Sequence, residues 1–277
     1  MSLPKPYYQD EWVTIYHSDC REVLTELPDK SVDLVLTDFP YANDTDYGDY
    51  QDTLENLDRL ISDVMPQLFR VSPLIAATVG ISNIHRYPAS TWTLCWYIEA
   101  GHISTPWGFN CWQPILVWGR DPYLANGLGR RPDVIVREGE PKNNLYHPTV
   151  KPQKTWSKLI LRLSPFNNQV ILDPFLGSGT TAYCAKKLGR RCIGIERLEK
   201  YAEMSAKRCS QMVFDLVTDN GKRCYGCGSP VKGRADAQYC SPKCKQAAYR
   251  QRQLLRVGVT DTEQTNDRQP VGVGEQS

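Results

Sequence analysis

The chain has 277 residues, 41% of them hydrophobic, enough for one or two domains with buried cores and too many for a disordered or fibrous protein. Its 33 Lys and Arg against 31 Asp and Glu leave a formal charge of +2, which selects no partner. No apolar run approaches the roughly 18 residues of a spanning helix, and residues 1–10 lack a signal-peptide stretch, so the expectation is a cytoplasmic protein with no membrane partner.

The early chain alternates strand and helix patterns. Residues 12–16 read as a strand and 20–27 as a short helix closed by Pro28. Residues 32–37 form a buried apolar strand running into Asp38. Leu54, Leu57, Ile61, Val64 and Leu68 recur at helical spacing and predict an amphipathic helix over 54–70, followed by a strand over 74–79. Between 87 and 146 the pattern loosens. Five tryptophans lie inside this region, two strands are expected near 114–118 and 133–137, and the Gly-, Pro- and Arg-rich stretch 119–132 reads as a loop. Regularity resumes with a helix over 154–163, a strand over 169–172, a helix over 180–188, a strand over 191–195 and a helix over 198–211. No internal repeat is visible. This order predicts an α/β protein, a parallel sheet with helices on both faces.

Charge and cysteine are unevenly spread. Residues 1–220 hold 23 basic and 26 acidic side chains, whereas 221–256 hold nine basic and one acidic, Asp236. A compact basic segment of this kind is a nucleic-acid footprint or a solvated face. Residues 257–277 have little to bury and are expected to be disordered. Of ten cysteines, six are scattered as small buried hydrophobes of a reducing compartment would be. The other four form Cys224-x2-Cys227-x12-Cys240-x3-Cys244, the pair spacing of a tetrahedral four-thiolate site that predicts a structural Zn2+. In the helix expected after it, Lys245, Tyr249, Arg252 and Arg256 fall on one stripe suited to a DNA backbone.

Two motifs carry chemistry. Asp173-Pro174-Phe175-Leu176-Gly177-Ser178-Gly179-Thr180-Thr181 follows a strand and opens a helix, so free backbone N–H groups and hydroxyls are expected to cradle an anionic group. It lacks the Gly-Lys-Ser/Thr ending of an ATP loop. Glu196, 23 residues beyond Asp173 at the end of the next strand, is placed to accept from ribose hydroxyls. Asp38-Phe39-Pro40-Tyr41 presents a carboxylate, a backbone carbonyl and an aromatic ring at a strand end. The first two can take the hydrogens of an exocyclic amine and the ring can stack on the base that bears it. Taken alone, this tetrapeptide is equally an ordinary strand exit.

Together, and with His147-Pro148-Thr149-Val150-Lys151-Pro152 between them, these motifs make residues 12–211 resemble the DNA amino-methyltransferases of permuted order, in which the catalytic motif precedes the cofactor motif. The resemblance implies a Rossmann-like S-adenosylmethionine-dependent methyltransferase sheet acting on double-stranded DNA. It implies that Asp38, Phe39, Pro40 and Tyr41 form the target-base site. Asp19, Cys20, Thr149, Lys151, Asp173, Pro174, Phe175, Gly177, Ser178, Gly179, Thr180 and Glu196 would hold the cofactor. Target recognition falls in 87–146, where Arg120, Arg130, Arg131 and Arg137 are candidates for contacts to bases or phosphates. Phe39 stands where the family usually has proline, which leaves a decayed, DNA-binding zinc protein as the competing reading. Asp in first place points to adenine N6, with cytosine N4 as the alternative. The expected organisation is a methyltransferase domain over 1–213, a linker over 214–222, a zinc ribbon with basic helix over 223–256 and a tail over 257–277.

Overall fold

The computed structural model describes residues 3–48, 50–98, 103–105, 107–137, 151–218, 239 and 241–246, with only the backbone for 103–105 and 212–218. In chain order the elements are β1 (Tyr8–Gln9), β2 (Val13–His17), α1 (Cys20–Glu26), β3 (Leu34–Asp38), β4 (Asp46–Tyr47), β5 (Tyr50–Gln51), α2 (Leu54–Val71) and β6 (Ile75–Thr78). A 3-10 turn (Ile81–Arg86) precedes β7 (Trp92–Tyr97), β8 (Ile103–Thr105), β9 (Gly108–Asn110), β10 (Trp112–Trp118), α3 (Pro122–Ala125) and β11 (Val134–Val136). After these come α4 (Gln153–Leu163), β12 (Val170–Asp173), α5 (Thr180–Lys187), β13 (Arg191–Glu196) and α6 (Glu199–Thr218).

One nine-stranded sheet runs in the order β1-β2-β13-β12-β3-β6-β10-β7-β11. β2, β13, β12, β3 and β6 are mutually parallel, while β10 is antiparallel to both β6 and β7. From β3 the chain moves through α2 to β6 on one side, and from β12 through α5 to β13 on the other. The order therefore reverses between β3 and β12, the crevice where open α/β sheets bind ligands outside the carboxyl ends of their strands. Asp38 and Asp173 are the last residues of these two neighbouring strands.

The strands read as continuous apolar runs because both faces are covered. Leu34 and Leu36 join one core with Trp156, Leu159 and Ile160 of α4 and Ala182 and Ala185 of α5. Val35 joins the other with Val23 and Leu24 of α1 and Leu57, Val64 and Leu68 of α2. In α2 the buried residues Leu57, Leu60, Ile61, Val64, Met65, Leu68 and Val71 form one stripe, and Thr53 caps its start by accepting from the Asn56 N–H at 3.3 Å. Burying that stripe contributes on the order of 10 kcal/mol before chain entropy is subtracted.

Most expected elements are present within a residue or two. The largest departure lies in 87–146. β7 and β10 there are integral strands of the sheet, and β7 was not anticipated because its pattern, exposed at Trp92, Thr93 and Tyr97 and buried at Leu94 and Trp96, is too short to separate from its loop. The stretch 119–132 contains α3, opened by Asp121 accepting from the N–H groups of Tyr123 and Leu124. The last helix extends to Thr218 rather than ending at 211, since no Gly or Pro interrupts it before Gly221. Residues 223–238 and 257–277, most of the expected ribbon and all of the tail, lie outside the described residues. Among the described residues no helix is long and apolar enough to cross a membrane.

Candidate functional site

A cavity of about 610 Å³ opens at the β3/β12 crevice, lined by Asp19 and Cys20, Asp38 and Pro40, Lys151, Asp173 to Ser178, Thr180 and Glu196. Four strand ends separated in sequence thus meet in one space.

Asp38 makes three side-chain contacts there. One carboxylate oxygen accepts from the Tyr41 hydroxyl (2.8 Å) and from the Thr78 hydroxyl. The other meets Lys151 Nζ at 2.6 Å. Burial, and secondarily the Asp38 charge, push the Tyr41 phenol well above its ordinary range, so it stays a donor. The Tyr41 ring rests on Gly80, where a Cβ would come within 3.3 Å of Tyr41 Cγ at a backbone φ of +72°. Glycine is required there by both contact and conformation. Asn83 fixes the turn by donating to the Tyr41 carbonyl at 2.8 Å. Tyr41 is not among the cavity-lining residues; Lys151 Nζ lies 5.5 Å from its ring centroid.

Phe39 is 1% exposed. Its ring packs edge-on against Tyr87 (5.3 Å between centroids) and against Phe175 of the glycine turn (4.8 Å). Its N–H donates to the Thr78 carbonyl at 3.1 Å. The residue that breaks the family pattern is therefore a core residue joining the two motifs.

Asp173 is buried and held by the hydroxyls of Thr37 (2.7 Å) and Thr181 (2.5 Å) and by the Phe175 N–H (3.1 Å). Burial raises its carboxyl to about 6 against these three donors. Trp156 Nε1 donates to Thr181 Oγ1 at 2.8 Å and ties α4 to the same cluster. The expectation of free donors in the glycine turn needs correction for four of its N–H groups and two of its hydroxyls. The N–H groups of Phe175, Leu176, Gly177 and Gly179 bond to Asp173, Ile195, Glu196 and Leu176. The Thr180 hydroxyl accepts from Arg208 and the Thr181 hydroxyl donates to Asp173. A tight turn in a buried crevice must satisfy its own backbone first.

Glu196 accepts from Gly177 N (2.7 Å) on one oxygen and from Leu198 N (2.8 Å) on the other, and burial raises its carboxyl. Each oxygen keeps further acceptor capacity toward the cavity. Asp19 caps α1 by accepting from Arg21 N (2.9 Å) and pairs with the Arg21 guanidinium (2.6 Å), which lowers its carboxyl. Burial pushes the Cys20 thiol up to about 12, leaving it inert.

Sequence reading missed the cover of this cavity. The β4–β5 hairpin contributes Tyr47 and Tyr50 to its wall. It is held by Asp52, 3% exposed, whose carboxylate accepts from the N–H groups of Ala42, Asn43 and Thr45. The Asn43/Asp44/Asp46/Gly48 cluster signals a turn, but nothing in it signals where the turn docks.

Arg120, Arg130 and Arg131 are not brought near the cavity. Trp118, the last residue of β10, pairs with Ile75, the first of β6, so the chain leaves β10 at the edge of the sheet opposite the cavity. The Arg131 guanidinium sits 4.6 Å over the Tyr123 ring there. Thr149, Cys224, Cys227, Cys240, Tyr249, Arg252 and Arg256 lie outside the described residues. Cys244 is half-buried, with its N–H on Ser241 Oγ at 3.2 Å, and Lys245 is exposed. Among the described residues no cluster of metal ligands occurs.

A nine-stranded, mostly parallel sheet with this crevice is the fold of S-adenosylmethionine-dependent methyltransferases. PvuII DNA methyltransferase (cytosine-N4-specific) superposes with a TM-score of 0.59 at 18% identity, over 78% of this chain and 94% of that one. The M1.HpyAVI-SAM complex superposes at 0.53 with 22% identity, over 71% and 98%. The family described as DNA methylase matches residues 85–207. The type II methyltransferase M.HpaI of Haemophilus parainfluenzae is 26% identical over 247 residues, covering 75% of this chain and 78% of that protein. The likeness to these solved structures is one of fold, and residues 85–207 carry the sequence match to the DNA methylase family.

Proposed function

We propose that this chain transfers a methyl group from S-adenosylmethionine to the N6 amino group of adenine in double-stranded DNA. The observation that carries the reading is the sharing of one cavity by Asp38, the glycine turn of Asp173 to Thr180, and Glu196. The cavity's size and its buried acceptor, Glu196, suit an adenosyl group with ribose hydroxyls to donate. When bound, S-adenosylmethionine supplies an electrophilic methyl group.

The chain's own residues do the rest. Glu196 would accept from the ribose, Asp19 and Cys20 would border the adenine, and Lys151 with Asp173 to Ser178 and Thr180 would hold the methionine end, to which the motif also assigns Thr149. A base amine is a weak nucleophile because its lone pair is delocalised into the ring. Accepting one of its hydrogens on Asp38 and the other on the Phe39 carbonyl localises that pair and aims it. The contribution is positioning and electrostatics. Lys151, 2.6 Å from the second Asp38 oxygen, holds the carboxylate in place and leaves that oxygen a further lone pair for the base amine. The target atom is shielded inside a duplex, so the base must be extruded into the site. Phe39 is compatible with activity, since the chemistry asks this position for a carbonyl, which phenylalanine also has.

The zinc site at Cys224, Cys227, Cys240 and Cys244 and the basic stripe of Lys245, Tyr249, Arg252 and Arg256 complete the proposal as a backbone-binding module. Nucleoside mass spectrometry of methylation-free DNA incubated with the protein and S-adenosylmethionine tests the reading. N6-methyladenine is expected. N4-methylcytosine alone would move the assignment to the other base, and no modified base would remove the function.

A further inference from the structure

The sheet order decides which connections can meet a substrate at the cavity. β10 is antiparallel to β6 and β7 is antiparallel to β10, so β7 runs parallel to β6 and β3 and ends at the same edge as Asp38. There the Ile98 N–H donates to the Cys111 carbonyl at 2.7 Å as the chain leaves the sheet. Between them β8 and β9 pair as a hairpin, with Ile103 opposite Asn110 and Thr105 opposite Gly108. This hairpin carries the two most exposed large hydrophobic side chains of the described residues: Trp107 is 99% exposed and Phe109 78%. At its foot Arg137, also exposed, donates its N–H to the Tyr97 carbonyl at 2.9 Å, on the neighbouring strand end.

Two large rings this exposed on a short hairpin form an apolar surface of the kind that marks interaction sites. β7 lies three strand spacings from β3, about 14 Å sideways, or roughly four base steps along a duplex. The rings therefore stand where the DNA flanking an extruded base must pass, not over the base itself. We propose that the β8–β9 hairpin is a nucleic-acid contact element, with Trp107 and Phe109 wedging against base steps beside the target and Arg137 taking an adjacent phosphate. The inference rests on the DNA-methyltransferase reading and adds to it a surface that the sequence motifs do not contain. It also moves recognition away from Arg120, Arg130 and Arg131, which emerge at the opposite edge.

The full chain with Trp107→Ala, Phe109→Ala, Trp107→Phe and Arg137→Ala is titrated against a fluorescently labelled duplex fragment of methylation-free phage DNA, with cofactor affinity and melting measured alongside. Each alanine at an aromatic is expected to weaken DNA binding about five- to a hundredfold. Trp107→Phe should retain most of the affinity, and cofactor binding and melting should stay at wild-type values. Arg137→Ala should lower the salt slope by about one. Trp107 emission should be quenched by DNA in the wild type, and most of that quench should vanish in Trp107→Phe. Unchanged DNA affinity in a Trp107→Ala/Phe109→Ala double variant would overturn the proposal, as would a change in oligomeric state with DNA binding intact. If the wild-type protein itself neither binds nor methylates DNA, the functional reading fails; if it does both and the double variant matches it, the hairpin proposal alone fails.

Discussion

Phe39→Pro restores the residue that the resemblance leads one to expect at this position, and the structure makes its cost calculable. The buried phenylalanine packs against Tyr87 and Phe175. Truncating such a ring to alanine costs about 3–5 kcal/mol, of which a proline ring recovers part. Proline also has no N–H, so the bond to the Thr78 carbonyl is lost, at about 1 kcal/mol. The sum is about 3–5 kcal/mol, and in a domain of this size that lowers the melting temperature by on the order of 10 °C. Position 39 nevertheless keeps its carbonyl. The variant should melt markedly earlier yet, assayed well below its transition, methylate DNA within a few-fold of the wild-type rate. Calorimetry paired with single-turnover methylation measures both. An unchanged melting temperature would refute the packing argument. A folded variant slowed by orders of magnitude would show that the phenyl ring itself takes part in the chemistry.

Gly179→Ala should destabilise by about 2 kcal/mol or more, because the residue sits at φ +79° and a Cβ would lie 2.8 Å from Ser205 Cβ on α6; urea titration and cofactor binding report it. Asp173 supplies a pH test. Its carboxyl, raised to about 6 by burial, binds its proton more tightly in the folded chain than in the unfolded one. Stability should therefore fall as pH rises from about 4 to about 6, by about 3 kcal/mol. Asp173→Asn should lack this component, and identical pH–stability curves for the two proteins would contradict the assignment. Ending the chain at residue 220 should remove one bound zinc per molecule by metal analysis, weaken DNA affinity and flatten its salt dependence, while the sequence methylated stays the same.

What could be read from the sequence follows the reach of its interactions. Leu34 to Thr37 and the stripe of α2 are strongly patterned, so the parallel half of the sheet and its helices were legible. Asp38, Asp173 and Glu196 were legible as candidates for one crevice because each ends such a strand, and all three line the cavity. The contribution of β7 and the edge from which Arg120, Arg130 and Arg131 emerge were not, since strand order and direction are settled by long-range pairing. The same limit hid Trp156, whose bond to Thr181 spans 25 residues, and Thr78, which reaches Asp38 from the neighbouring strand, 40 residues away in sequence. The glycine turn is legible by composition, but the N–H groups of Phe175, Leu176, Gly177 and Gly179 are used internally, which only tertiary packing reveals.

Asp38 is where the account can be tested most directly. Wild-type protein and Asp38→Ala are compared for transfer of the labelled methyl group of S-adenosylmethionine into duplex DNA, with cofactor affinity measured on the same samples. The account predicts that Asp38→Ala loses transfer by at least about a hundredfold while holding the cofactor nearly as tightly as the wild type. A variant that methylates duplex DNA at the wild-type rate would contradict it.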